Sequence, residues 1–147
     1  MLSNDFKKRL FHLKPVQALV SQSGKLLARG KGTAGLNTDS TTLRQFRDWL
    51  QRLEKGTVLE LGTKRVGNQP STLRRSWVRD TVGYIACDFE TGLDVDVVVD
   101  AEHLSKTFPQ SSIDAVIACS VFEHIRKPWL AAREIGKVLR PGGLVFV

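Results

Sequence analysis

The last third of the chain, residues 113–147, reads IDAVIACSVFEHIRKPWLAAREIGKVLRPGGLVFV. An apolar strand, a polar turn, a helix, a Pro-Gly-Gly turn and a second apolar strand follow one another. This is one βαβ unit, and a helical crossover between two strands commits the chain to a parallel, α/β arrangement. Three more runs upstream have the same character: TVLELG at 57–62, YIACD at 84–88 and DVVVD at 96–100, the last followed by Ala-Glu-His-Leu. Each is short, β-branched and nearly continuously apolar, which fits strands covered by helices on both faces better than a one-sided sheet.

Three of these runs place an acid at or near a strand's carboxyl end: Glu60, Asp88 and Asp100. In open α/β sheets the ligand crevice lies along that edge, so the three acids are expected to face one ligand. The plainer role for any one of them is a carboxylate that closes a strand or caps a helix.

The wording of the 113–147 unit is distinctive. Asp114 opens the strand, Glu123-His124 follows it, Lys127-Pro128-Trp129 starts the helix and Leu139-Arg140-Pro141-Gly142-Gly143 ends it. The unit resembles the end of the core of class I S-adenosylmethionine-dependent methyltransferases, in the large group that acts mostly on small molecules. The resemblance implies a Rossmann-like doubly wound parallel sheet of order 3-2-1-4-5 with N-terminal helices. It divides the chain into a basic helical segment at 1–56 and a cofactor-binding core at 57–147. It also implies roles: Asp88 accepts hydrogen bonds from the ribose hydroxyls, Asp100 accepts from the adenine amine, and the backbone of Ala101 meets the ring. Glu60 would lie near the methionine portion, Gly62 would let the chain pass close to the cofactor, and Cys119 and Ser120 would line the floor near the methyl group.

The glycine-rich loop departs from the family pattern. Residues 60–67 read ELGTKRVG, with Lys64 and Val66 where the second and third glycines are expected, so only Gly62 matches. Asn68 to Thr72 then read as loop, and the helix due here is poorly marked. Lys64, Arg65, Arg74, Arg75 and Arg79 follow with no acid until Asp80. A basic rim does not help bind a sulfonium, so these side chains are expected to point outward, or toward the cofactor carboxylate and an anionic acceptor.

Composition excludes several classes. With 147 residues, 41% hydrophobic and 25% charged, the chain reads as one soluble domain with enough apolar content for a core. It lacks an apolar run long enough to span a membrane and an apolar signal core, so a cytoplasmic location is the default. The net charge of +7 hints at nucleic acid, yet residues 1–31 hold seven Lys or Arg against one Asp, and residues 32–147 hold fifteen against fourteen. The body is nearly neutral, and nucleic acid is not favoured. Phe6, Leu10 and Leu13, interleaved with Lys7, Lys8, Arg9 and Lys14, suggest a short basic amphipathic helix that packs on the sheet or covers the cofactor. GKGTAG at 30–35 reads as linker, because no strand precedes it and the Lys-Ser/Thr ending of a phosphate loop is missing. Thr42 with Gln45 forms a capping-box pair, and Leu43, Phe46, Leu50 and Leu53 mark one helical face leading to Gly56.

Cys87 and Cys119 are the only cysteines. In the order 3-2-1-4-5 they fall on strands two and four, about two spacings of nearly 5 Å apart, beyond disulfide reach. Both are expected to be buried thiols, and no close pair of metal ligands is present.

Methyl transfer needs acceptor and methyl held in contact and, for a hydroxyl acceptor, removal of a proton. His124 is the candidate base; the plainer reading is that Glu123 and His124 fix the turn and cap the helix begun at Pro128. The resemblance stops at the fifth strand, without the family's last two strands. The expectation is therefore either methyl transfer to a small-molecule acceptor or a cofactor-binding remnant acting through a partner, with RNA methylation a third reading. Residues 144–147 would then form a sheet edge able to pair with a second copy.

Overall fold

The computed structural model describes residues 41–147. The predicted N-terminal basic helix and the 30–35 linker lie outside these residues. Five strands form one sheet: β1 (Thr57–Leu61), β2 (Gly83–Asp88), β3 (Val97–Val98), β4 (Ile113–Ile117) and β5 (Leu139–Phe146). Every pairing is parallel and the order is β3-β2-β1-β4-β5, the order expected from the resemblance.

Side-chain alternation splits the core between the two faces. On one face Leu59, Leu61, Ile85 and Val116 pack with Leu104, Phe108, Ile135 and Val138. These last two come from helix α2 (Pro128–Val138), the crossover between β4 and β5. On the other face Val58, Ala115 and Ile117 pack with Phe46 and Leu50 of helix α1 (Thr41–Arg52) and with Val78 and Val82. Each such buried side chain contributes about 1.5–3 kcal/mol of apolar stabilisation. Helices on both faces make the strands' continuous apolar character a requirement.

Three expectations need correction. The capping box does not start α1: the helix already includes Thr41, so Thr42 lies within its first turn. The third strand is Val97–Val98, much shorter than the run 96–100, because Asp96 turns aside to accept the N–H of Ala86 at 2.9 Å and Asp100 caps the turn that follows. The Pro-Gly-Gly segment is not a turn between helix and strand. α2 ends at Val138 and β5 begins at once with Leu139 opposite Ile113; the register then slips, so Leu144 faces Ala115.

The amino-terminal ends of three strands are stapled together. Asp114, fully buried, accepts the N–H of Thr57 at 2.7 Å, and its other oxygen lies 2.5 Å from Nη2 of Arg140. The Arg140 contact is ionic, without the angles of a hydrogen bond. Burial pushes the Asp114 carboxyl above its ordinary range, against the opposing pull of the Thr57 N–H and Arg140. This carboxylate ties the starts of β1, β4 and β5 together, a structural reason for the aspartate that opens the strand.

Candidate functional site

The carboxyl edge of the sheet collects the ends of β1, β2 and β4, and the break in strand order between β1 and β4 is where a doubly wound sheet opens its ligand crevice. Gly62 follows β1 with φ +72, a left-handed conformation that glycine adopts without steric cost. A side chain here would also collide: a Cβ would lie 2.5 Å from Cγ2 of Val121, which reaches across from the segment after β4. Gly62 therefore admits close approach, and Val121 makes that approach. Thr63 is buried, and its Oγ1 has no partner among the described residues.

Asp88 ends β2 and is 8% exposed. Its Oδ2 accepts the N–H of Lys64 at 2.9 Å and its Oδ1 accepts the N–H of Glu90 at 3.1 Å. Each carboxylate oxygen has two lone pairs, so acceptor capacity remains on both. Asp100, exposed beyond β3, accepts the N–H of Glu102 at 2.8 Å and faces Nδ1 of His103 at 3.1 Å, which makes it the cap of the 3-10 turn Ala101–Lys106. The plainer role thus describes what Asp100 does within the chain. Ala101, half-buried, begins that turn.

Glu60 lies in the most closed environment of the three. It is 1% exposed, on the same face as Val58 and Tyr84. Oε1 accepts from Nη1 of Arg74 at 2.8 Å; Oε2 accepts the N–H of Arg74 at 2.9 Å and the hydroxyl of Tyr84. Burial, then the bond to Glu60, pushes the Tyr84 hydroxyl far above its ordinary range. Arg74 also lies over the Trp77 ring, 5.6 Å from its centroid.

The loop between β1 and β2 contains no α-helix, as its sequence suggested; a single 3-10 turn, Arg75–Trp77, is its one regular element. The basic rim expected here is largely neutralised. Lys64 pairs with Glu90, Arg65 grips Asp94 through two bonds of 2.8 and 2.7 Å, and Arg74 is spent on Glu60. Arg65 holds the Asp94 carboxyl below its ordinary range. Arg75 turns to the carbonyls of Val78 and Arg79 and comes within 3.5 Å of Asp80. The acids that neutralise Lys64 and Arg65 come from the β2–β3 loop, some 26 and 29 residues away.

Cys119 and Ser120 follow β4, Cys119 half-buried and Ser120 exposed with φ +53. Burial raises the Cys119 thiol, with the charges of Arg74 and Glu60 pulling in opposite directions. Glu60 lies opposite Ile117 in the β1–β4 register, two residues before Cys119. Cys87 is buried on β2, and both thiols are free. His124 is exposed at the end of the 3-10 turn Phe122–His124. Neither Glu123 nor His124 caps α2: its N-cap is Lys127, which makes no side-chain cap bond and whose own N–H donates to Oε1 of Glu102 at 3.0 Å. Among the described residues no cluster of three or more His, Cys, Asp or Glu could hold a metal ion, and no helix is long and apolar enough to cross a membrane.

Sequence reasoning missed Arg74, Tyr84 and Val121. Tyr84 was accessible in principle, since parallel pairing sets it beside Val58, two residues before Glu60 on the same face. Arg74 carried no signal that distinguished it from its basic neighbours.

Residues 23–147 match the family described as "Methyltransferase domain". Two proteins called "Uncharacterized methyltransferase", from Mycobacterium avium (strain 104) and Mycolicibacterium paratuberculosis (strain ATCC BAA-968 / K-10), are each 33% identical over 54 residues, 37% of this chain. That match spans only 21% of each relative's length. No solved structure matches the chain.

Proposed function

This chain belongs to the methyltransferase domain family, and from that premise we propose that it binds S-adenosylmethionine along the carboxyl edge of its sheet and serves methyl transfer to a small-molecule acceptor. One observation carries the reading: Gly62, Asp88 and Asp100 stand at the ends of β1, β2 and β3, three strands adjacent in the sheet. That row matches a ligand with hydroxyl and amine donors spread along its length.

The residues fit the adenosine part of the cofactor. Asp88 keeps acceptor capacity for the ribose hydroxyls while its two backbone bonds hold it in place. Asp100 is held by its own turn with its carboxylate still exposed, as an acceptor for the adenine amine must be. Ala101 offers its backbone beside it. Toward the methionine end, Gly62 and Thr63 provide backbone, Cys119 and Ser120 line the floor, and Glu60 lies buried nearby with its charge paired to Arg74. When bound, the cofactor supplies a methyl group on a sulfonium, open to in-line displacement. His124, exposed after β4, is the proton acceptor in this reading when the acceptor is a hydroxyl.

The paired state of Lys64, Arg65 and Arg74 weighs against RNA as acceptor, because phosphate binding draws on unpaired basic side chains. The test is an amide NMR titration with S-adenosylhomocysteine. Shifts concentrated at Gly62, Lys64, Asp88, Phe89, Asp100 and Ala101 are expected, and shifts confined to other parts of the chain would overturn the assignment.

A further inference from the structure

We propose that Arg74 sets the charge of the crevice, so that the site does not favour the sulfonium cofactor over its neutral thioether, S-adenosylhomocysteine. The inference rests on the cofactor reading above and deepens it.

Glu60 is the one carboxylate at the end of β1, the strand that borders the crevice. Left unpaired, its negative charge would attract the ammonium and sulfonium of the methionine end. Here it is not left unpaired: it is 2% exposed at the side chain, and Arg74 binds it through both guanidinium and backbone, while Tyr84 adds a third donor. Nor is the guanidinium a distant counter-ion. It lies over Trp77 and bonds the Glu60 carboxylate at 2.8 Å, and Glu60 sits opposite Ile117, two residues before Cys119. A cation brought between Gly62 and Cys119 therefore meets a neutral pair where a lone Glu60 would have presented a full negative charge. In partly polar surroundings such a charge discriminates between sulfonium and thioether by roughly tenfold.

Arg74 and Glu60 come from segments 14 residues apart, and the Arg74 backbone bond fixes the β1–β2 loop as well as the charge. A purely structural latch would alter both affinities alike when broken. A charge-setting pair alters their ratio.

The experiment is isothermal titration of the full chain with S-adenosylmethionine and S-adenosylhomocysteine, comparing the ratio of the two dissociation constants. The wild type should bind the thioether at least as tightly as the sulfonium. Arg74→Gln should move the ratio about tenfold toward the sulfonium, and Arg74→Lys should retain the wild-type ratio. Because Arg74→Gln leaves a buried acid unpaired and endangers folding, Glu60→Gln provides the opposite arm: Arg74 is then unopposed, and the ratio should move about tenfold toward the thioether. Binding of both ligands with the same ratio in wild type, Arg74→Gln and Glu60→Gln would overturn the charge-setting role and leave the cofactor reading standing. Failure of every folded variant and of the wild type to bind either ligand would overturn both.

Discussion

The backbone N–H of Lys64 donates to Oδ2 of Asp88 across 2.9 Å, binding the loop after β1 to the end of β2. One carboxylate therefore both shapes the loop and borders the ligand edge. Replacing Asp88 by Ala leaves the N–H groups of Lys64 and Glu90 without acceptors, at a cost of about 1–3 kcal/mol for each group that stays buried. Asp88→Asn, which keeps an acceptor oxygen, should cost clearly less. Urea unfolding of the two variants checks this; equal stability of Asp88→Ala and wild type would remove the carboxylate from the loop's support.

Gly62→Ala meets two penalties at once, the φ of +72 and the Val121 methyl 2.5 Å from the new Cβ. A loss of roughly 1–3 kcal/mol is expected. Pairing it with Val121→Ala should recover only the steric part, so the double variant should be more stable than the sum of the two single losses implies. Strict additivity in a double-mutant cycle would show that the two residues do not touch.

Glu134, buried on α2, accepts Ser105 N–H at 2.9 Å and the Ser105 hydroxyl at 2.5 Å, and pairs with Lys137. Lys137 and then Ser105 hold its carboxyl down to about 2, against an ordinary value of 4.5. A depressed carboxyl stabilises the folded chain when ionised. Its contribution is complete above about pH 4.5 and is lost as pH falls toward about 2. The stability gap between wild type and Glu134→Gln should therefore be largest near neutrality and narrow across that window. A gap that widens on acidification contradicts the sign.

Asp114 behaves in the opposite sense, since burial raises its pKa. Its role is to hold Thr57 N–H and Arg140, so Asp114→Ala, which strands both, should cost about 3–5 kcal/mol. Arg140→Met keeps the Thr57 bond and leaves a carboxyl that burial already pushes toward its protonated form, so it should cost less than Asp114→Ala, which loses both contacts. Thermal unfolding ranks the pair, and the reverse order would mean that the ion contact, not the Thr57 bond, holds the strands together.

The parallel sheet was legible because strands buried on both faces must be apolar along their whole length; its order came from the family resemblance that the 113–147 unit carries. Strand ends were less legible. Asp96 looks like the start of a strand until its carboxylate is seen holding Ala86. At the site, Gly62 and Asp88 could be placed from their position after apolar runs. The closure of Glu60 could not, since which arginine of a basic loop turns inward depends on Trp77 and Tyr84 packing beside it. The neutralisation of Lys64 and Arg65 was likewise hidden, because their acids arrive from another loop.

The central claim is that the carboxyl edge of this sheet is an adenosyl-cofactor site anchored by Asp88. Isothermal titration of the wild type and Asp88→Asn with S-adenosylhomocysteine tests it most directly. The account predicts saturable one-site binding by the wild type and, for a charged acceptor made neutral, a loss on the order of 1.5–3 kcal/mol in the variant. Equal affinity in two folded proteins, or no binding by the folded wild type, would contradict it.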